Sequence, residues 1–160
     1  RRRAGMLWAM SRPYADIARQ VDDNGTAAAR MQRVADLIWE TCGPLGVSWV
    51  GFYLPGGDDA LILGPARNKP ACSPIGLHGA CGQAFLSRKP LIVRDVADLG
   101  DGYIACDPRD RSEVVIPLLD DDGAALGVLD LDSYDVGAFD AADVTGLTAV
   151  LRAAGLTRGC

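Results

Sequence analysis

The stretch that decides the fold reads EVVIPLLDDDGAALGVLDLD and covers residues 113–132. β-Branched and aliphatic residues dominate positions 113–119, and this composition favours a strand. Asp120 to Gly123 carry the residue types of a tight turn, and an apolar pattern resumes over residues 124–132. We therefore predict a β-hairpin whose two strands are joined by an acidic turn.

More strands are predicted on the N-terminal side of this hairpin. Residues 47–54 are rich in β-branched and aromatic residues, and residues 60–63 follow them after a Gly-Gly-Asp-Asp turn. A further strand is predicted over residues 90–96. Proline and glycine are dense between residues 64 and 82. That stretch is therefore predicted to be irregular and to carry function.

Helices are predicted at both ends of the chain. Ser11 is the expected N-cap of the first helix, with Pro13 in its first turn. An apolar stripe over residues 27–42 predicts the second helix, and a short helix is expected over residues 82–87. Asp140 is the expected N-cap of the last helix, and Asp143 suits the N3 position of a capping box. Helices that flank β-hairpins predict an antiparallel α/β sandwich.

The composition fits one domain with its own core. The chain has 160 residues, of which 49% are hydrophobic, and its formal net charge is −5. A net-acidic surface argues against nucleic acid or an anionic membrane as the main partner. No apolar run has the length of a membrane span, and we expect a cytoplasmic protein. Residues 1–10 are expected to be flexible or a cloning remnant, with Met6 as the natural start.

The chain has five cysteines, Cys42, Cys72, Cys81, Cys106 and Cys160. An odd number without a signal peptide is a poor disulfide framework, so these thiols are expected to be buried, metal-bound or reactive. Zinc is disfavoured because the chain has no Cys-x-x-Cys pair and a single histidine. No metal site is therefore predicted.

Three of these cysteines are candidates for chemistry. Cys72 lies in the irregular stretch of residues 64–82, and Cys106 lies in a second irregular stretch predicted over residues 97–111, so the two thiols can meet. Cys81 lies at the start of the short predicted helix, whose N-terminal end would stabilise a thiolate. Burial is the alternative for each of them, since cysteine is among the most buried residue types. Cys42 is assigned to the core, and Cys160 is regarded as incidental.

Alternation along the first predicted strand indicates an aromatic wall. Trp49, Gly51 and Tyr53 share one face, and a glycine between two large rings would leave a gap. The gap would accommodate a small apolar group, such as the S-methyl group of a thioether or sulfoxide. The alternative is a pair of core aromatic residues with a tolerated glycine between them.

Acidic residues converge in the hairpin that decides the fold. Asp130 and Asp132 share a strand face roughly 6.5–7 Å apart, where they would bind an ammonium group or share a proton. Glu113, near the start of the partner strand, joins them if the register allows it. Three converging acids would raise one pKa and supply a proton donor. The alternative is a solvated strand face.

These motifs together resemble those of the free methionine-(R)-sulfoxide reductases, a family of stand-alone GAF-domain enzymes. The resemblance runs from about Asp23 to Leu156, and it rests on the order of three cysteines, three acids and two aromatic residues. The matching segments are WVGFY (49–53), LGP (63–65), KPAC (69–72), CG (81–82), DV (95–96), IACD (104–107), SEVVIPL (112–118) and GVLDLDS (127–133), with Phe139 and Asp143 in the last helix.

The resemblance implies a fold and a thiol mechanism. The fold would be of the GAF type, with a roughly six-stranded antiparallel sheet flanked by helices. A single domain would cover residues 1–160, with its core over about residues 23–156. Cys106 would attack the sulfoxide sulfur and become a sulfenic acid, and Cys72 would resolve it as a disulfide. Cys81 would be a second resolving thiol or a relay, so the order of the two thiols stays open.

The resemblance also implies a substrate, a reductant and an assembly. The substrate would be free methionine sulfoxide, with Glu113, Asp130 and Asp132 on its ammonium group and Trp49 and Tyr53 on its methyl group. Thioredoxin would reduce the disulfide from outside, and no cofactor would be bound. A homodimer through the terminal helices would be in keeping with other GAF domains.

Two residues, one cysteine spacing and the loop before Cys106, which is about one residue longer, depart from the family pattern. Tyr103 stands where family members usually have histidine, and His78 stands near a usual arginine. Cys72 and Cys81 are 81 − 72 = 9 positions apart, about one fewer than in the family. His78 is a candidate base or, alternatively, a hydrogen-bonding loop residue. The rival function is a GAF module that senses a small molecule or redox state without catalysis.

Overall fold

The computed structural model describes residues 12–100, 103 and 106–158. In this part of the chain four α-helices flank one six-stranded sheet, which confirms the predicted α/β fold with an antiparallel sheet. The helices are α1 (Tyr14–Gln20), α2 (Ala27–Cys42), α3 (Ala80–Ser87) and α4 (Ala141–Ala153). The strands are β1 (Trp49–Pro55), β2 (Ala60–Arg67), β3 (Ile75–Gly76), β4 (Leu91–Val93), β5 (Ser112–Leu119) and β6 (Ala125–Ser133).

The sheet has the order β3-β2-β1-β6-β5-β4, and each neighbouring pair is antiparallel. The β5–β6 hairpin predicted from residues 113–132 is confirmed, and Asp120 accepts hydrogen bonds from the backbone amides of Asp122 and Ala124 within its turn. β1 pairs with β6, so that the two predicted hairpins meet at the centre of the sheet.

The two faces of the sheet are covered differently. Alternate residues such as Val50 and Phe52 pack with α1, α2 and α4 in the larger core. Their neighbours Trp49 and Tyr53 point to the opposite face, where they pack with residues of α3. Period-two alternation along β1 thus separates the structural core from the face that carries the candidate site.

Several predicted boundaries are wrong. The strand expected over residues 90–96 is confined to β4, because the Asp95 carboxylate accepts a hydrogen bond from the Ala97 amide and starts a 3₁₀ turn. β2 continues to Arg67 rather than ending at residue 63, because it pairs with β1 from Val50 to Pro55. The short helix begins at Ala80, since Gly79 serves as its N-cap.

The first helix also begins later than predicted. Pro13 is its N-cap residue rather than part of its first turn, and it makes no side-chain capping bond. The expected N-cap Ser11 lies outside the described residues. The predictions for residues 1–10, Met6 and Cys160 also fall outside them. Cys42 is buried in the larger core, as predicted.

A buried ion pair fastens the N-terminal segment to the last helix. The Arg12 guanidinium donates to Asp143 Oδ1 over 2.7 Å, and the Tyr14 hydroxyl donates to the same oxygen over 2.6 Å. Asp143 Oδ2 accepts from the Asp140 amide and completes the capping box predicted for this helix. One carboxylate therefore caps α4 and neutralises a buried cation.

We expect Asp143→Ala to lower the free energy of unfolding by about 3 kcal/mol, because it leaves the Arg12 charge buried without a partner. Urea titration of the purified protein measures this change. Asp121→Ala is the matched control, since its pair with Arg158 is exposed and should contribute below about 1 kcal/mol. Equal losses in the two variants would contradict the role assigned to Asp143.

Candidate active site

The face of the sheet next to α3 carries a cavity of about 340 Å³. Strands β1, β5 and β6 form its floor, and its walls come from residues 69–82, Tyr103 and residues 106–110. This face carries the two aromatic residues of β1 and the three acids of β5 and β6 that were predicted from the sequence as site residues. The predicted irregular stretches therefore surround a pocket.

The register between strands brings the three predicted acids together. Glu113 on β5 lies directly opposite Asp132 on β6. Asp132 is also opposite Trp49 on β1, and Asp130 is opposite Gly51. Since residues opposite one another in antiparallel strands project to the same face, all three carboxyl groups line the pocket floor.

The acidic floor is poorly supplied with hydrogen-bond donors. Glu113 accepts hydrogen bonds from the Cys81 thiol over 3.9 Å and from the Tyr103 hydroxyl over 3.2 Å. Among the described residues, nothing donates to the buried Asp130 Oδ1. Glu113 is 4% exposed and Asp130 is 5% exposed, so solvent offers little compensation. An unpartnered buried oxygen of this kind is a position for a donor from a ligand.

Burial and mutual repulsion raise the pKa values of this floor. Burial raises the pKa of Asp130 well above its usual range, and the charges of Asp132 and Glu113 add to the effect. Burial followed by repulsion from Glu113 and Asp110 does the same to the pKa of Asp132. The pKa of Glu113 is raised mainly by burial. The floor is therefore suited to holding protons or an ammonium group.

Cys72 and Cys106 form a disulfide with their Cα atoms 5.7 Å apart. Cys72 comes from the loop before β3 and Cys106 from the loop before β5. Both residues are exposed at the mouth of the pocket. The prediction that thiols of the two irregular stretches meet is confirmed.

Cys81 behaves differently from its prediction. It is a free, buried thiol in the first turn of α3 and lines the pocket. Burial and the charges of Asp130 and Glu113 raise its pKa well above the usual range. The predicted stabilisation of a Cys81 thiolate by the helix end is therefore wrong, because burial beside acids outweighs the helix dipole.

The aromatic wall also differs in detail from its prediction. Trp49 and Tyr53 line the pocket with their ring centroids 6.0 Å apart. No gap lies above Gly51, because a Cβ atom there would come within 2.3 Å of the Trp49 ring. The glycine instead lets the indole lie against the strand.

Both aromatic side chains also hold the loop that carries Cys72. The indole N–H of Trp49 donates to the carbonyl oxygen of Lys69 over 3.2 Å. The hydroxyl of Tyr53 donates to the carbonyl oxygen of Cys72 over 2.8 Å. The wall thus positions one cysteine as well as lining the pocket.

A charged cluster at the rim of the pocket was not predicted from the sequence. The Lys69 ammonium donates to the Asp107 carboxylate, and the Arg109 guanidinium donates to the same group over 2.9 Å. The Tyr134 hydroxyl donates to Asp107 Oδ2 over 3.1 Å. Lys69 belongs to the KPAC motif and Asp107 to the IACD motif, and these two motifs are the sequence signal that points to the cluster.

Two more residues complete the pocket. Asp110 accepts a hydrogen bond from the Ser48 hydroxyl over 3.2 Å, and burial raises its pKa. His78, the candidate base, is exposed and lines the pocket.

In the described part of the chain, no helix combines the length and apolarity needed to cross a membrane.

Comparison with known proteins identifies the family. The model of the GAF domain family matches residues 26–157. The free methionine-R-sulfoxide reductase of Saccharomyces cerevisiae is 39% identical over 71% of this chain and 65% of its own length. The chain thus spans slightly under two thirds of that relative. The Escherichia coli protein of the same name is 38% identical over 84% of this chain and 81% of its own length.

A solved structure agrees with these relatives. The free methionine-R-sulfoxide reductase from Neisseria meningitidis, in complex with its substrate, superposes with a TM-score of 0.77 at 32% identity. The match covers 96% of this chain and 92% of that chain. The protein therefore belongs to the GAF domain family and, within it, to the group that contains the free methionine-R-sulfoxide reductases.

Proposed function

We propose that this protein reduces free methionine-R-sulfoxide to methionine with a pair of cysteines. This proposal rests on the arrangement of the pocket, in which the Cys72–Cys106 disulfide lies at the mouth and three carboxyl groups form the floor. The names of the relatives supply the substrate class and the R configuration.

The acidic floor is the proposed site for the substrate ammonium. An ammonium group carries three donors and a positive charge, which suits Glu113, Asp130 and Asp132 and the unpartnered Asp130 Oδ1. A methionine residue within a protein chain has no such group. Its entry would leave desolvated carboxylates unpaired, so the floor selects the free amino acid.

The aromatic wall is the proposed site for the methyl group. Trp49 and Tyr53 offer ring surfaces beside the floor, and sulfur-linked methyl groups pack favourably against aromatic rings. Binding at both ends would fix the substrate sulfur between the floor and the mouth of the pocket. Cys106 lies at that mouth and lines the same pocket.

The proposed reaction begins with both mouth cysteines reduced. The Cys106 thiolate attacks the sulfoxide sulfur, and the oxygen atom is transferred to Cys106, which gives methionine and a Cys106 sulfenic acid. A floor carboxyl group, whose pKa is raised by burial, donates a proton to the departing oxygen. The Cys72 thiol then attacks the sulfenic sulfur, which releases water and forms the disulfide.

An external thiol reductant must return two electrons to this disulfide. Thioredoxin is the proposed reductant, since exposed Cys72 and Cys106 are open to thiol–disulfide exchange. Cys81 remains a candidate for a second resolving thiol or a relay, and it is buried beside Glu113. No bound cofactor is needed for this cycle.

The remaining assignments concern the whole protein. We propose a cytoplasmic location, where a reducing environment would sustain the thiol cycle. Residues 1–160 are proposed to form one GAF domain with a core of about residues 23–156. A homodimer through the terminal helices α1 and α4 is proposed by analogy with other GAF domains.

The first expected result concerns the cysteines. With thioredoxin, thioredoxin reductase and NADPH, the protein should oxidise NADPH on addition of free L-methionine-R-sulfoxide and not of the S epimer. Cys106→Ser should abolish turnover because it removes the nucleophile. Cys72→Ser should give one turnover and then stop with a Cys106 sulfenic acid, which dimedone labelling and mass spectrometry detect.

The control is Cys42→Ala, which alters a buried thiol outside the pocket and should retain turnover. Turnover by Cys106→Ser at the original rate would contradict the mechanism. Absence of turnover by the folded, reduced protein with either epimer would contradict the function itself.

The second expected result concerns the pKa of Asp130. Folding raises that pKa. The contribution of Asp130 to the free energy of unfolding is therefore complete below the unfolded pKa, and it is lost as pH rises through the folded pKa. Asp130→Asn replaces the carboxyl group with an amide that does not ionise, so this loss of stability at high pH no longer occurs. The variant should therefore be more stable than the original protein at pH 8 by about 1–2 kcal/mol, with a smaller gain at pH 5.

Urea titrations of the reduced protein at both pH values measure the Asp130→Asn effect. The matched control is Asp121→Asn at an exposed position, which should show no gain that grows with pH. The same Asp130→Asn protein should lose activity toward the sulfoxide. If Asp130→Asn lowers the free energy of unfolding by the same amount at pH 8 and at pH 5, the Asp130 charge is not uncompensated in the floor and the account is contradicted.

A further inference from the structure

We propose that Lys69, Asp107 and Tyr134 form a positioning cluster that keeps Cys72 and Cys106 close together when both are reduced. The proposal deepens the proposed function, since it concerns how the two cysteines of that site meet. None of the three residues needs to touch the substrate for this role.

The cluster joins the same two chain segments as the disulfide. Lys69 lies three residues before Cys72, and Asp107 directly follows Cys106. The Lys69 ammonium donates to the Asp107 carboxylate across a sequence separation of 38 residues. This ion pair is a separate link from the sulfur–sulfur bond, so it can hold the two segments together after the disulfide has been reduced.

Tyr134 fixes this ion pair to the sheet. It directly follows the last residue of β6. Its hydroxyl donates to Asp107 Oδ2 over 3.1 Å and accepts from the Lys69 ammonium over 3.2 Å. The ammonium also lies 4.8 Å from the centroid of the Tyr134 ring, within range of a cation–π interaction.

Low solvent exposure and neighbouring side chains strengthen the ion pair between Lys69 and Asp107. The Lys69 side chain is 18% exposed and the Asp107 side chain is 9% exposed, so water and salt screen this pair less than a surface pair. The Trp49 indole N–H holds the Lys69 carbonyl oxygen, and Arg109 makes a two-point contact with Asp107. The cluster is therefore tied to β1 and to β6.

Such a cluster raises the effective concentration of one thiol at the other. Two chain segments that are held together explore fewer separated arrangements, and the second link between them then forms more readily. By reciprocity, disulfide formation strengthens the ion pair by the same factor. In the proposed cycle this favours attack of Cys72 on the Cys106 sulfenic acid over further oxidation of that acid.

Exchange with glutathione tests the proposal without any sulfoxide. Two protein thiols and one oxidised glutathione give the Cys72–Cys106 disulfide and two reduced glutathione molecules. The full-length protein is equilibrated in glutathione buffers of defined ratio and then alkylated. Peptide mass spectrometry then measures the fraction that carries the Cys72–Cys106 disulfide.

We expect Lys69→Met to lower the equilibrium constant for disulfide formation about tenfold, which is a rise of about 30 mV in reduction potential. Tyr134→Phe should lower it two- to threefold, because the ring remains while the hydroxyl is lost. Lys69→Arg should restore most of the original value, since it keeps the charge. Lys89→Met is the matched control at an exposed lysine and should leave the constant unchanged.

Unchanged constants in Lys69→Met and Tyr134→Phe, with both proteins folded by circular dichroism, would overturn the proposal. Failure of Lys69→Arg to restore the constant would also overturn it, since the charge would then not be the cause. A rise in KM for the sulfoxide with an unchanged constant would assign Lys69 to substrate binding instead. Because the readout needs no turnover, it stands whether or not the proposed reductase activity is found.

Discussion

The register of β1, β6 and β5 places three carboxyl groups on one buried face of the sheet. A shift of one residue in either pairing would turn Asp130 and Asp132 toward the hydrophobic core. The alternation that sends Leu129 and Leu131 into that core is the same alternation that sends these acids into the pocket. The core therefore fixes the geometry of the site.

This arrangement has an energetic consequence for the unliganded protein. Burial and mutual repulsion disfavour ionisation of the floor, and Asp130 Oδ1 has no donor among the described residues. A ligand that brings a positive charge and several donors relieves both deficits at once. The larger core on the opposite face and the capped, ion-paired helix α4 supply the stability that the site lacks.

Local patterns were enough to predict much of this structure. The β5–β6 hairpin and the capping box of α4 depend on residues close together in sequence, and both were predicted. The meeting of Glu113 with the two aspartates depended on register, which the sequence left open. The Lys69–Asp107 pair was missed because it joins two irregular segments. The pKa of Cys81 is raised rather than lowered because the fold buries the thiol beside acids, and its position in the helix alone does not predict this burial.

Recognition of the substrate ammonium by the acidic floor is the central claim, and N-acetylation tests it most directly. The measurement is kcat/KM for free L-methionine-R-sulfoxide and for its N-acetyl derivative, with the same reduced protein and the same reductant. We expect the N-acetyl compound to be at least about a thousandfold poorer, because it leaves buried carboxylates unpaired. Comparable values of kcat/KM for the two compounds would contradict the claim.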